Sequence, residues 1–147
     1  MPFPYVALLI GGALPACLWG IAAIFQKLST QHDLAPGPFL VAFGATIVIV
    51  GIVLCFIMRD STSVSLAGLR FAFMAGLTYA IATGLISFAL LRFGIPIAKL
   101  APILGCNVLV TVLIGILWLG EGESLNVWKI VGGTAAVLTG LALVTAA

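Results

Sequence analysis

Eight side chains in this sequence have the chemistry to hold a small polar solute: Trp19, Gln26, Tyr79, Thr83, Ser87, Lys99, Asn107 and Thr111. Tyr79, Thr83 and Ser87 recur every four residues, Asn107 and Thr111 do the same, and Trp19 and Gln26 stand seven apart. On helices each of these sets falls on one face. Such faces could line a cavity with hydroxyls, amides and aromatic surface, suited to a small amphipathic or aromatic solute. The competing reading is interhelical hydrogen bonding that only packs helices together, typically under about 1 kcal/mol per pair. Ser and Thr also bond readily to their own helix. Lys99, between Pro96 and Pro102, could attract an anionic group, or its stem could carry the ammonium out to lipid headgroups. Catalytic chemistry is not legible: the sequence offers no nucleophile–base pair, metal-ligand cluster or phosphate loop, so neither an enzyme nor a cofactor is expected. Cys17, Cys55 and Cys106 fall within apolar runs and lack Cys-x-x-Cys spacing, which argues against disulfides and metal sites.

The elements that must position these residues are set by composition. Of 147 residues, 63% are hydrophobic and 7% are charged, and the mean hydropathy is +1.35. A soluble domain carries about 25% charged residues, and a water-facing surface needs them. The apolar excess excludes disorder and nucleic-acid binding through a basic patch, and a net charge of +2 points to no electrostatic partner. The chain reads as an all-α integral membrane protein in a lipid bilayer.

Ten charged residues punctuate five uncharged runs: Met1–Gln26, Leu34–Met58, Phe71–Leu91, Leu100–Gly120 and Ile130–Ala147. A spanning helix needs roughly 20 apolar residues. Hydrocarbon offers backbone groups no other partners, so the spans must be helices, and unbroken runs do not fit the alternating strands of a barrel. The expected helices are 5–27, 38–58, 68–92, 98–120 and 126–146, one five-helix domain over residues 1–147 with no soluble lobe. Gln31–Pro38, Arg59–Ser63, Gly94–Pro96 and Gly120–Ser124 supply the turns. Ser124 or Asn126 is a suitable N-cap for the last helix, and Pro15 should kink the first. Met1–Tyr5 lacks the basic start of a signal peptide, so the first run is expected to be a mature helix.

Five spans place the termini on opposite sides. Arg59, Arg70 and Lys129 then lie on one side and Lys27, Arg92 and Lys99 on the other. Orientation normally follows an excess of Lys and Arg in cytoplasmic loops, and here the sides tie. Either the chain inserts both ways and pairs with an inverted copy, or the insertion machinery or a partner fixes one orientation. No carboxylate lies within a run. Glu121, at the end of the fourth, is the nearest candidate for proton coupling and reads better as an interfacial turn residue. Gly132, Ala136 and Gly140, spaced by four with Gly133 adjacent, allow close helix approach, at a dimer seam or inside one protomer.

Three stretches, Phe88–Gly94, Ala101-Pro102-Ile103-Leu104 and Leu117-Trp118-Leu119-Gly120-Glu121, resemble the repeat of EamA-type transporters of the drug/metabolite transporter superfamily. Val127–Gly132 and Leu138-Thr139-Gly140 look like that family's closing helix, and Trp19-Gly20 with Lys27 like its first. Family members usually fuse two five-helix repeats in inverted orientation. The resemblance therefore implies half of an inverted-repeat transporter, completed as an antiparallel homodimer or inverted heterodimer. It implies a multi-pass protein of the bacterial plasma (inner) membrane, an exporter or permease moving a small organic metabolite or drug-like solute by alternating access. The family's frequent Arg at the start of helix 2 is replaced here by Pro38-Phe39, and the buried helix 1 glutamate of small multidrug exporters has no counterpart. The alternatives are a non-transporting membrane subunit, or a lipid-linked-sugar flippase subunit acting with a second small chain.

Overall fold

The computed structural model describes residues 3–58, 64–118, 120 and 126–146. The described residues are helical and contain no strand. The chain divides at Gly94/Ile95 into two compact units. The first holds α1 (Phe3–Leu8), a π-helical turn (Leu9–Ala13), α2 (Leu14–Gln31), α3 (Pro36–Ile57) and α4 (Leu66–Arg92). The second holds α5 (Ile97–Gly105), α6 (Asn107–Leu117) and α7 (Val127–Ala146). Among the described residues four helical segments can by length and composition cross a membrane: Tyr5–Gln31, Pro36–Ile57, Leu66–Arg92 and Ile97–Leu117. Several such helices in one chain are the pattern of a multi-pass membrane protein. In α7 the apolar stretch is Trp128–Val144, which at 1.5 Å per residue reaches about 26 Å, just short of a hydrocarbon core of about 30 Å.

Local chemistry explains the helix ends. α2 runs to Gln31, four residues beyond the expected 27, because a Schellman motif closes it. The Asp33 N–H donates to the Thr30 carbonyl (3.2 Å) and the Leu34 N–H to the Ser29 carbonyl (3.1 Å). Asp33 takes the left-handed conformation this requires, φ 57°, where glycine is the usual choice. Asp33→Gly should therefore raise the thermal stability of the detergent-solubilised protein by about 0.5 kcal/mol, and Asp33→Val should lower it by about 1–2 kcal/mol. Pro36 opens α3, where a missing N–H costs nothing. The Ser65 hydroxyl accepts from the Gly68 N–H (3.0 Å) and caps α4. Gly94, at φ 62°, carries the chain out of α4. Asn126 caps α7, its Oδ1 accepting from the Lys129 N–H (3.2 Å). The Arg59–Ser63 turn, Leu119, Glu121 and Ser124 lie outside the described residues.

The first run is not simply kinked at Pro15; its helix widens into the π turn just before the proline. The fourth is not one regular helix either. Pro102 lies inside α5, and a tight turn at Cys106 joins α5 to α6, the Cys106 N–H donating to the Ile103 carbonyl and the Leu109 N–H to the Cys106 carbonyl.

In each unit a glycine lies against a neighbouring helix. In the first, a Cβ at Gly84 of α4 would stand 3.2 Å from Leu40 of α3. In the second, a Cβ at Gly105 of α5 would stand 3.3 Å from Leu141 of α7. Gly132, Gly133 and Gly140 have open space where a Cβ would sit, so the described structure does not use them for a close contact within the protomer.

Candidate functional site

Polarity is inverted in the first unit. Among the described residues its buried side chains are Gln26, Thr30, Thr83, Ser87 and Leu90, four of them polar, while large apolar residues such as Val41, Phe56, Phe71 and Phe73 are at least 70% exposed. That is the order expected when the surrounding solvent is apolar and the polar groups must satisfy one another.

The polar cluster joins α2 to α4. Gln26 Nε2 donates one N–H to the Ser87 hydroxyl (2.8 Å) and one to the Thr83 carbonyl (3.1 Å). Both amide hydrogens are thus placed, which fixes the side chain's rotation. Ser87 is fully buried, and Leu90, one turn on, closes the contact at 2% exposed. On α2 the same face continues to Thr30, four residues after Gln26 and 6% exposed, whose hydroxyl donates to the Lys27 carbonyl (2.7 Å). Gln26 lies near the end of α2 and Ser87 near the end of α4, so the C-terminal parts of the two helices meet here. Lys27 and Arg92 accordingly share one end of the unit, and Arg70 lies towards the other.

Of the eight sequence candidates, the structure brings three together: Gln26, Thr83 and Ser87. Tyr79 begins the same stripe of α4 but faces α3, its ring stacked on Phe43 (centroids 6.3 Å, 18° between planes), which stacks in turn on Phe39 (5.7 Å). Tyr79 is 48% exposed and Trp19 is 64% exposed, so neither joins the buried cluster. In the second unit Lys99, Asn107 and Thr111 are exposed. The Thr111 hydroxyl donates to the Asn107 carbonyl one turn back (3.0 Å), the self-bonding that hydroxyls in helices commonly adopt. Thr46, Thr78 and Thr139 do the same with carbonyls three or four residues back. Sequence reasoning missed Thr30 and Leu90, though both continue stripes it had identified: Thr30 follows Gln26 by four and Leu90 follows Ser87 by three.

Two shallow hollows, along Leu69–Met74 and Val48–Phe56, each lie on a single helix and hold none of the eight candidates. Cys17, Cys55 and Cys106 are free, exposed thiols. Among the described residues no group of three His, Cys, Asp or Glu is placed to hold a metal ion. No protein-family model, curated protein or solved structure matches this chain.

Proposed function

We propose that the chain is a membrane transporter for a small organic metabolite or drug-like solute, a single EamA-like repeat with α7 as its fifth span, working by alternating access as an antiparallel dimer. The observation that carries this reading is the buried Gln26–Thr83–Ser87 cluster inside helices whose outer surface is apolar. A polar interior between span-length helices is what a path for a polar solute requires, and intramembrane polar groups are costly unless they serve one another or a solute. Transporter sites commonly lie at the interface of inverted repeats, and a lone repeat needs an inverted partner to build one. The tie in Lys and Arg, with Lys27 and Arg92 at one end of the first unit and Arg70 towards the other, permits both orientations. The unoccupied Gly132–Gly140 edge of α7 suits a helix of a second chain. Trp19, Tyr79 and Asn107 would face the path, with Lys99 at its mouth and Thr111 on its wall.

Reconstitution into liposomes with a panel of amino acids, amines and nucleosides, scored for counterflow, tests the reading. Asn107→Leu is the informative variant. Its amide has two donors and an acceptor to satisfy, and leucine suits a span but binds no polar solute. Transport should fall about tenfold or more, the loss of one buried polar contact to a substrate, while the melting profile in detergent stays close to wild type. Normal counterflow by Asn107→Leu would remove it from the site. The second reading, a non-transporting or flippase subunit, is favoured by the hydroxyls that close on their own helices, and a folded dimer showing no counterflow with any solute would select it.

A further inference from the structure

The π turn at Leu9–Ala13 leaves one backbone acceptor without its helical donors inside a span. The Leu14 N–H donates to the carbonyl of Leu9, five residues back. The next residue, Pro15, has no N–H. The Ile10 carbonyl therefore receives neither of its helical donors, since Leu14 has given its hydrogen to Leu9 and Pro15 has none. The Gly11 carbonyl loses its ordinary donor, again Pro15, but keeps the Ala16 N–H within reach at the same five-residue spacing. Nothing shields this step: Ile10 is 62% exposed, and a Cβ built at Gly11 or Gly12 would meet no atom within 4 Å. The surrounding span, Tyr5–Gln31, is one of the helices long and apolar enough to cross a membrane. A carbonyl facing hydrocarbon there would cost several kcal/mol. π turns of this kind are frequent at functional sites.

We propose that the Ile10 carbonyl forms an acceptor site inside the membrane that takes O–H or N–H donors, from water or from a transported solute, and that this face of the first helix lines an aqueous path and not lipid. The proposal rests on the chain crossing a membrane and not on which solute it carries.

The test uses full-length protein in liposomes, with Cys17, Cys55 and Cys106 replaced by alanine. Gly12→Cys and, as a lipid-facing control, Ile49→Cys on α3 are exposed to a membrane-impermeant charged thiol reagent. Thiolates react in water and not in hydrocarbon, so Gly12→Cys should react about tenfold or more faster than Ile49→Cys. Adding Pro15→Ala, which restores the N–H, should bring the Gly12→Cys rate down to the control. Protection of Gly12→Cys by a solute of the counterflow panel identifies the donor as solute; a fast rate unaffected by every solute identifies it as water. Equal rates at Gly12→Cys and Ile49→Cys, or crosslinking of Gly12→Cys to a second copy, would overturn the site. A fast Ile49→Cys overturns the spanning reading along with it. Since substituted chains can misfold, the unsubstituted protein carrying a ¹³C=¹⁸O label at Ile10 gives a second measure. Its amide band should lie at lower frequency and be broader than that of the same label at Ile49, and coincident bands would refute the proposal.

Discussion

Ser87→Leu should unfold the detergent-solubilised protein far more readily than Ser87→Ala. Ser87 has no exposed surface, and its hydroxyl accepts the shorter of the two Gln26 bonds, at 2.8 Å. Alanine removes that bond and leaves a Gln26 N–H unpaired in an apolar setting, a loss of about 1–3 kcal/mol. Leucine must force extra carbon into the closed contact between α2 and α4, at about 1–3 kcal/mol. It strands the same Gln26 N–H as alanine does, at about 1–3 kcal/mol. The combined penalty of about 2–6 kcal/mol is a large part of the stability of a small protein. Unfolding by titrated SDS in mixed micelles measures both variants. A second substitution, Gln26→Leu, should recover part of the Ser87→Leu loss, because it withdraws the stranded donor. If Ser87→Leu and Ser87→Ala unfold alike, the two helices do not meet at Ser87.

Locking the orientation of the chain should abolish transport by either locked form alone and restore it when the two are mixed. Lys and Arg tie at three a side, so a small addition decides which loops stay cytoplasmic. Ser61→Lys with Ser63→Lys biases one set of loops; Gln31→Lys with His32→Lys biases the other. In an antiparallel dimer each locked form lacks its inverted partner, and counterflow should drop to the level of empty liposomes. Co-expression of the two forms should return most of the wild-type rate. Full activity from one locked form alone would exclude the antiparallel dimer, while leaving the helical fold and the polar cluster untouched.

Much of this architecture is legible in the residues. The helices sit where the uncharged runs lie, because apolar length is a property of the chain itself. Their ends follow Pro36, Ser65, Gly94 and Asn126, whose preferences for a first turn, a cap or a positive φ are local. The stripes are equally legible, since spacing by four fixes which residues share a face. The same local rules extend to Thr30 and Leu90, which continue those stripes even though polarity alone did not single them out.

Composition and spacing therefore settle an all-helical, strongly apolar chain with span-length segments, and the faces on which its few polar residues stand. What those faces meet depends on how the helices pack. Periodicity places Tyr79, Thr83 and Ser87 together, but the neighbours of α4 differ along its length, so Tyr79 stacks on Phe43 of α3 while Thr83 and Ser87 bond to Gln26 of α2. A hydroxyl can close on its own helix or reach a neighbour, and composition does not distinguish the two: Thr111 does the first and Ser87 the second. The π turn before Pro15 was likewise out of reach of pattern. A proline forbids one N–H, but whether the helix bends, breaks or widens in response depends on how the backbone on either side redistributes the remaining bonds.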